Sequence, residues 1–432
     1  MRTDGAIWTE LMTTTIPAYA GQVSDEFLSE NFHSAIVRAE RVVADGTCLC
    51  RTDDGEVVFA DGAWPGELVS VSLIAKKKTQ RGPVMEILES SPDRITPQCE
   101  HARQGCGGCD WATINYDAQL LAKVEVVRDS LRRLGRWAEP VISTGPVLDP
   151  WAFRTSMRFG VQNGAASLRR AATHDLVEIS LCEIAHPKLN DIANKIHWGN
   201  ASEITIRVGA NSGESLVKVS PSTEGLLLNE LQSEFGTVVV GENELKAKKR
   251  AWYNETVAGR TFRISADSFF QTRSDGAAAL IEVVGQMCAD AFSRSTGQLL
   301  DAYCGVGLFS GALLPEGWTA TAAERSRSSV ADAKQNLSDL PIKVIGSSIE
   351  RLRTSRCDVV IADPSRAGLG RGAVKNLSST GASVFVLVSC DPASAGRDIA
   401  LLQAEGFTPS ESVVVDLFPH SHHIELVTKL TR

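Results

Sequence analysis

Residues 299–307 read Leu-Leu-Asp-Ala-Tyr-Cys-Gly-Val-Gly, and this stretch decides the fold of the C-terminal part of the chain. It joins an apolar strand to a turn with two glycines, and a helical pattern begins directly after it. Glycines in such a turn let the backbone approach a ligand, and Glu324, nineteen positions after Gly305, is placed to accept hydrogen bonds from ribose hydroxyls. Because Gly311 falls one position late for a dinucleotide fingerprint, the turn favours a nucleoside ligand; a plain tight connection is the alternative.

The regular alternation of strands and helices around this turn predicts an α/β fold. The pattern gives helix 276–293, strand 299–304, helix 307–314, strand 319–323, helix 327–338, strands 342–346, 358–363 and 384–389, helix 392–404, and strands 412–417 and 424–430. Strands that alternate with helices form a mostly parallel sheet, which binds its ligands at the carboxyl ends of the strands. We therefore expect the chemistry at those strand ends.

Two reactive residues follow predicted strands at that edge. Asp363 comes directly after an apolar strand, where its carboxylate can point into the ligand crevice or merely start an Asp-Pro turn. Cys390 ends another strand and precedes Asp391 and Pro392, which are typical of the N-cap and the first position of a helix. Because the positive end of a helix favours a thiolate, this position predicts a nucleophile; an inert core cysteine is the alternative.

A glutamate and three histidines lie near the C-terminus. His420, His422 and His423 suggest zinc, yet they form no helical i, i+4 pair beside the glutamate, so chemistry of the H-E-x-x-H type does not apply. Glu425 begins an otherwise apolar strand and is a candidate general base. A glutamate that faces water on an edge strand is the alternative.

Three cysteines in a glycine-rich loop form a group of candidate metal ligands. Cys99, Cys106 and Cys109 have the spacing C-x6-C-x2-C, and Cys182 is the nearest further thiol in the middle of the chain. Such a loop can wrap several thiolates around one centre. The centre is either an iron–sulfur cluster or a tetrahedral zinc ion, because spacing alone does not separate them.

Composition and charge exclude several classes of protein. The chain has 432 residues, 43% of them hydrophobic and 22% charged, which excludes a disordered polymer and a single small binding module. No apolar run approaches the ~18 residues of a membrane span, so we expect a cytoplasmic protein. Net charge is −8 over residues 1–75, +5 over 76–170 and −5 over 171–432, so the middle of the chain is the part suited to an anionic polymer.

The N-terminal half shows two further patterns. Short alternating runs between 31 and 90, broken by turn signals such as Asp61-Gly62, predict a small β-barrel that either binds oligonucleotides or only packs against the rest. A helical stretch then runs from Tyr116 to Arg136. Its predicted apolar face consists of Leu120, Val124, Val127, Leu131 and Leu134.

Together these segments resemble the RNA 5-methyluridine (uracil-C5) methyltransferase family. The motifs that carry the resemblance are residues 53–59, Pro65-Gly66-Glu67, Cys106-Gly107-Gly108-Cys109, Ser268-Phe269-Phe270-Gln271, and residues 301–307, 363–368, 389–392 and 423–425. The resemblance implies an extension at 1–30, a TRAM-like (OB-like) β-barrel at 31–92, a mixed central iron–sulfur domain at 93–270 and a class I, Rossmann-like methyltransferase domain at 271–432. It also allows the helix at 111–136 to pack on the catalytic domain.

The resemblance further assigns roles to single residues. Cys99, Cys106, Cys109 and Cys182 would hold a 4Fe–4S cluster, and Gln271, Tyr303, Glu324 and Asp363 would contact S-adenosylmethionine. Cys390 would be the nucleophile and Glu425 the general base. Family members often have asparagine where Leu308 and Arg273 stand, which bears on cofactor contacts and substrate choice.

The function implied is methylation of carbon 5 of a uridine in tRNA or 23S rRNA, by a monomer whose partner is the RNA. One alternative is a non-catalytic RNA-binding iron–sulfur protein, whose signature would be the loss of Cys390 or Glu425; both are present. The other alternative is a methyltransferase that acts on another RNA base.

Overall fold

The computed structural model describes residues 32–74, 79–171, 173–226 and 228–432. The expected N-terminal extension at 1–30 lies outside these residues. Within them, no helix is both long and apolar enough to cross a membrane. The described strands form a closed barrel, a six-stranded sheet, a two-stranded hairpin and an eight-stranded sheet.

Five strands close into a barrel at the N-terminal end of the described chain. They are β1 (Phe32–Val42), β2 (Cys48–Arg51), β3 (Val57–Asp61), β4 (Leu68–Ile74) and β5 (Gln80–Glu89), in the order β1-β2-β3-β5-β4. Alternate side chains such as Val69, Val71 and Leu73 fill the interior, because successive side chains of a strand point to opposite faces. The barrel that the alternating pattern predicts is confirmed.

The middle of the chain is built around the six-stranded sheet. Its elements are α1 (Glu100–Arg103), α2 (Tyr116–Arg133), β6 (Ile142–Thr144), β7 (Ser156–Gln162), β8 (Ala165–Arg169), β9 (Leu176–Glu178), α3 (Pro187–Lys195), β10 (Glu203–Val208), β11 (Ser215–Ser220), α4 (Leu228–Phe235), β12 (Thr237–Gly241) and α5 (Glu242–Lys246). The strand order is β12-β11-β10-β7-β8-β9, and only the β11–β12 pair is parallel.

The C-terminal part holds the mostly parallel sheet that the sequence predicts. After the hairpin β13 (Trp252–Val257) and β14 (Arg260–Ser265) come α6 (Ser274–Phe292), β15 (Gly297–Ala302), α7 (Leu308–Leu313), β16 (Trp318–Glu324), α8 (Arg327–Asn336), β17 (Ile342–Gly346), β18 (Val359–Ala362), α9 (Gly370–Ser378), β19 (Val384–Ser389), α10 (Pro392–Ala404), β20 (Thr408–Val415) and β21 (Glu425–Thr431). The sheet order is β17-β16-β15-β18-β19-β21-β20-β6. The first five strands are parallel, and β21 is antiparallel to both of its neighbours.

Helix α9 is the longest helix of this region that the sequence pattern misses. Gly370 and Gly372 stand in its first turn, and glycine is a poor helix former. Leu369 precedes the helix and provides no side-chain cap, so the usual start signal is lacking. The other predicted strands and helices are confirmed to within a few residues.

Helix α2 packs on α10 and shares a hydrophobic core with the eight-stranded sheet. Val127 and Leu131 lie in that core as predicted. The predicted face is otherwise partly wrong, because Leu134 is exposed whereas Gln119 and Lys123 are completely buried. Two polar side chains on the hidden face of a helix need partners in the interior.

Candidate active site

One cavity of about 1300 Å³ lies at the carboxyl ends of β15, β16, β18 and β19 and extends to the cysteine loop. It brings together ten predicted site residues: Gln271, Tyr303, Glu324, Asp363, Cys390, Glu425, Cys99, Cys106, Cys109 and Cys182. The candidate cofactor contacts, the candidate nucleophile and base, and the four thiols therefore share one continuous space at the predicted edge of the sheet.

The turn after β15, residues 303–307, has a backbone that requires glycine; we call it the glycine turn. Gly305 and Gly307 have φ angles of 55° and 95°, and a Cβ at Gly307 would lie 2.8 Å from the Leu337 side chain. Tyr303 also has a positive φ, 63°, which is uncommon for residues other than glycine, and backbone strain of this kind clusters at active sites. The loop therefore keeps a shape that leaves the backbone open to a ligand.

Glu324 ends β16 and is fixed beside the glycine turn by backbone donors. One carboxylate oxygen accepts the Gly305 N–H at 3.2 Å, and the other accepts the N–H groups of Arg325 and Ser326, each at 2.7 Å. A carboxylate has about four acceptor sites, so capacity for a ligand hydroxyl remains.

Two carboxyl groups next to the glycine turn have raised pKa values. Asp301 is buried at the end of β15, where desolvation raises its pKa to about 6 although it accepts the Ser310 N–H at 3.0 Å. Burial, and then the charge of Asp301, raise the pKa of Asp363 to about 7. Asp363 lines the cavity, so near neutral pH it can both take up and release a proton there.

Cys390 and Glu425 face each other across two adjacent strands. Ser389 of β19 pairs with Leu426 of β21, which places the next residues of the antiparallel ladder, Cys390 and Glu425, side by side. Glu425 is 3% exposed, and β21 lies between β19 and β20, so a water-facing glutamate on an edge strand is wrong. Burial, and then the charge of Asp363, raise the pKa of Glu425 far above its ordinary value.

The protein alone holds Cys390 as a thiol. Burial, followed by the charges of Glu425 and Asp363, raises the pKa of this thiol to about 11, and Arg366 only partly opposes them. Asp391 caps α10 as predicted by accepting the Ser394 N–H at 2.6 Å. The expected thiolate is nevertheless wrong, because a helix end contributes only about 0.3–2 kcal/mol. Cys390 must therefore lose a proton when it reacts.

The four cysteines converge at the far end of the cavity. Burial is the largest cause that raises the pKa of Cys106, Cys109 and Cys182, the last to about 11, and the charges of the neighbouring cysteines add to it. Arg154 is a half-buried cation beside Cys109 and Cys182. In the part of the chain that the structure describes, no three His, Cys, Asp or Glu side chains are arranged to hold a metal ion directly.

Three further side chains of the cavity are not among the predicted residues. Phe269 is 64% exposed although it is a large apolar ring. Arg366 Nη2 lies 3.4 Å from His423 Nε2, and burial, His422 and Arg366 lower the pKa of His423 to about 4, so the ring is neutral. The sequence contains a signal that could have identified each of them. Phe269 stands in the Ser268–Gln271 motif, Arg366 lies in the same turn as Asp363, and His423 belongs to the histidine group.

Curated proteins similar to this chain are RNA methyltransferases by description. An uncharacterized RNA methyltransferase of Streptomyces avermitilis is 31% identical, covering 90% of this chain and 96% of the relative. One of Streptomyces coelicolor is also 31% identical, covering 90% and 91%, and one of Gloeobacter violaceus is 28% identical, covering 90% and 95%. No family model matches the chain.

A solved structure shows the same fold along almost the whole chain. The crystal structure of the Pyrococcus abyssi tRNA (uracil-54, C5)-methyltransferase in complex with S-adenosyl-L-homocysteine superposes with a TM-score of 0.71. The two sequences are 22% identical, and the match covers 92% of this chain and 100% of the other. At that identity the likeness shows the fold.

Proposed function

Because the chain belongs to the RNA methyltransferase family, we propose that it transfers a methyl group from S-adenosylmethionine to carbon 5 of a uridine in structured RNA. One observation carries the proposal: Cys390 and Glu425 face each other in the same cavity as a glycine turn suited to a nucleoside. A nucleophile and a base in contact with one cavity are the two groups that this substitution needs.

Carbon 5 of uracil is a poor nucleophile, and covalent addition solves that problem. The Cys390 sulfur bonds to carbon 6, and the electrons of the 5,6 double bond move to carbon 5 and oxygen 4 as an enolate. Carbon 5 then attacks the methyl group, whose bond to the sulfonium breaks and leaves neutral S-adenosylhomocysteine. Glu425 removes the proton from carbon 5, the 5,6 double bond forms again, and Cys390 leaves as a thiolate.

The raised pKa of Cys390 adds one proton transfer to this scheme. The thiol proton must leave as sulfur bonds to carbon 6, and the two carboxylates whose charges act on this thiol, Glu425 and Asp363, are the candidate acceptors. Asp363, with a pKa of about 7, suits a proton that is taken up and returned in each cycle. Arg366 supplies positive charge beside Cys390 and Glu425 while this happens.

The glycine turn and Glu324 bind the nucleoside part of S-adenosylmethionine. Glu324 accepts hydrogen bonds from the ribose, in line with the carboxylate capacity left beside the turn. Gln271, Tyr303 and Asp363 line the same space. Phe269, an exposed ring on the cavity, offers a stacking surface for the target uridine, which must leave its own stack first.

We propose that Cys99, Cys106, Cys109 and Cys182 would hold a 4Fe–4S cluster, whose role in this reaction would be structural rather than redox. The donor set fits, because four buried or half-buried thiols that influence one another meet at one end of the cavity beside the cation Arg154.

The proposal is tested by trapping the covalent intermediate. RNA from a strain that lacks this gene is incubated with labelled S-adenosylmethionine and purified protein. Cys390→Ala should bind RNA, form no adduct and methylate nothing. Glu425→Gln keeps the nucleophile but not the base, so a protein–RNA adduct that carries the methyl group should accumulate and survive a denaturing gel.

Product analysis separates the remaining alternatives. Nucleoside mass spectrometry of the modified RNA should show 5-methyluridine. Whether this nucleoside is found in the tRNA or in the 23S rRNA fraction identifies the substrate class. A methylated cytidine or purine would favour the alternative base, and RNA binding without any methyl transfer would favour the non-catalytic protein. Full methylation by Cys390→Ala would refute the covalent mechanism.

A further inference from the structure

The loop between β20 and β21, residues 416–424, leads directly into Glu425; we call it the catalytic loop. Although it lies outside helices and strands, Asp416, His420 and Ser421 in it are buried. His420 has a φ of 63°, which is uncommon for any residue other than glycine. A buried irregular loop of this kind must be held by specific partners, since its backbone groups cannot bond to water.

Helix α2 supplies the strongest of those partners. The Lys123 ammonium donates to Asp416 Oδ1 at 2.7 Å and to the Phe418 carbonyl oxygen at 2.8 Å. Both side chains of the ion pair are almost wholly buried, at 1% and 6% exposure. Lys123 therefore bonds the catalytic loop twice, once through a side chain and once through the main chain.

A second group of bonds holds the centre of the catalytic loop to the same part of the molecule. Gln119, one helical turn before Lys123, accepts the His420 N–H at 2.8 Å, and the Trp111 N–H donates to the His420 carbonyl oxygen at 3.0 Å. One residue earlier, the Asp110 carboxylate meets His422 Nδ1 at 2.7 Å. The segment that contains Asp110 and Trp111, together with helix α2, thus holds the catalytic loop by hydrogen bonds.

A buried ion pair is weak evidence for stability, because well-packed apolar residues of similar volume are often as stable or more so. What the Lys123–Asp416 pair provides is one defined geometry: the ammonium has three donors, and two of them fix different points of the catalytic loop. The loop then delivers Glu425 to its place opposite Cys390. A base that is displaced by about 1 Å can lose about a hundredfold in rate.

We propose that Lys123 is a positioning residue for the general base: through Asp416 and the Phe418 carbonyl it sets where Glu425 stands relative to the uracil ring. This inference rests on the proposed function. It assigns the step that depends on Lys123, namely removal of the proton from carbon 5 after methyl transfer, and it leaves cofactor binding and addition of Cys390 largely unaffected.

The experiment compares Lys123→Met with Arg133→Met, its matched control. Arg133 lies on the same helix, is exposed and pairs with Asp129, so its loss removes the same charge without touching the catalytic loop. Lys123→Met should slow release of methylated RNA about ten- to hundredfold. The methyl-carrying adduct should accumulate, as in Glu425→Gln, while the KM for S-adenosylmethionine stays within about twofold. Arg133→Met should match the wild type.

A double variant separates positioning from stability. Lys123→Met leaves the buried Asp416 carboxylate without its cation and is expected to lower the melting temperature; Lys123→Met/Asp416→Leu removes both charges and should restore it. The double variant should still accumulate the methylated adduct. Wild-type product release by the double variant, or loss of adduct formation in parallel with turnover in Lys123→Met, would overturn the inference. If Glu425→Gln itself forms no adduct, the proposed function fails, and this inference with it.

Discussion

The glycine turn and the catalytic loop both meet the same cavity, but they are held in place in different ways. The glycine turn is fixed by its own glycines and by Glu324, nineteen positions along the chain. The catalytic loop is fixed by Lys123, Gln119 and Asp110, which lie roughly 300 positions away from their partners in it. The proposed cofactor end of the cavity is therefore held by contacts that are close in sequence. The position of the proposed base, Glu425, depends instead on how two distant parts of the chain pack together.

The sharpest way to test this separation is to damage the glycine turn alone. Gly307→Val places a β-branched side chain at a φ of 95° and against Leu337, so the turn must change shape. We expect the affinity for S-adenosylmethionine, measured by calorimetry, to fall at least about a hundredfold. Alkylation of Cys390, on the catalytic side, should keep its wild-type rate.

Gly259→Val is the control for the backbone itself, because Gly259 also has a positive φ, 77°, but has open space around it and lies in the β13–β14 hairpin. Its affinity for the cofactor should equal that of the wild type. Binding by Gly307→Val within about threefold of the wild type would show that the turn does not shape the cofactor site.

The same difference explains which parts of the molecule the sequence predicts. Gly305, Gly307 and Glu324 are predictable because a tight turn after a strand and a carboxylate at the next strand end are local patterns. The location of Cys390 and Glu425 is also predictable, because the strand ends on one side of such a sheet lie at the same edge. The side chains that surround these two residues cannot be predicted from local sequence. The thiolate expected at Cys390 is wrong, because burial and the charges of two carboxylates raise the pKa of the thiol more than one helix N-terminus lowers it.

The burial of Lys123 cannot be predicted from the sequence around it. By periodicity, the apolar face of α2 runs through Leu120 and Val124, and a lysine is rarely buried unless its charge has a partner. Lys123 can be buried because its ammonium donates hydrogen bonds to Asp416 and to the Phe418 carbonyl oxygen. The sequence around position 123 gives no signal of these partners, which lie almost 300 residues later. Contacts of this range become visible only in the folded chain.

The second prediction removes the side chain that braces the glycine turn. Glu324→Ala loses a charge-assisted hydrogen bond to the ribose, worth roughly 1.5–3 kcal/mol, so the Kd for S-adenosylmethionine should rise about ten- to hundredfold. Glu316→Ala, an exposed glutamate before β16, is the matched control and should bind normally. An unchanged Kd in Glu324→Ala would mean that the ribose is held elsewhere.

The third prediction concerns Asp363, which lies between the two regions. Its pKa is raised from 3.8 to about 7, so the folded state binds the proton more tightly than the unfolded state, and stability is lost as pH rises between these values. Asp363→Asn cannot ionise and avoids that loss. In urea titrations, the free energy of unfolding of Asp363→Asn relative to wild type should improve by roughly 2–3 kcal/mol from pH 5 to pH 8. A difference that does not change with pH would show that the carboxyl group titrates normally.

The smallest expected effect lies on the catalytic side, where Glu425 acts on Cys390 at short range. Burial raises the pKa of Cys390 most, and the Glu425 charge adds to it, so Glu425→Gln should lower that pKa over the pH range in which Glu425 is ionised. The thiolate fraction then increases at each pH at which Glu425 is ionised. The rate of alkylation of Cys390 by iodoacetamide, followed by peptide mass spectrometry over a series of pH values from about 7 to 11, should become a few-fold faster in the upper part of that series. Glu405→Gln, at the far end of α10, makes the same charge change away from the thiol and should leave the rate unaltered. An equal or slower rate in Glu425→Gln at every pH of the series would show that the Glu425 charge does not act on the sulfur, against the arrangement on which the proposed roles of the two residues depend.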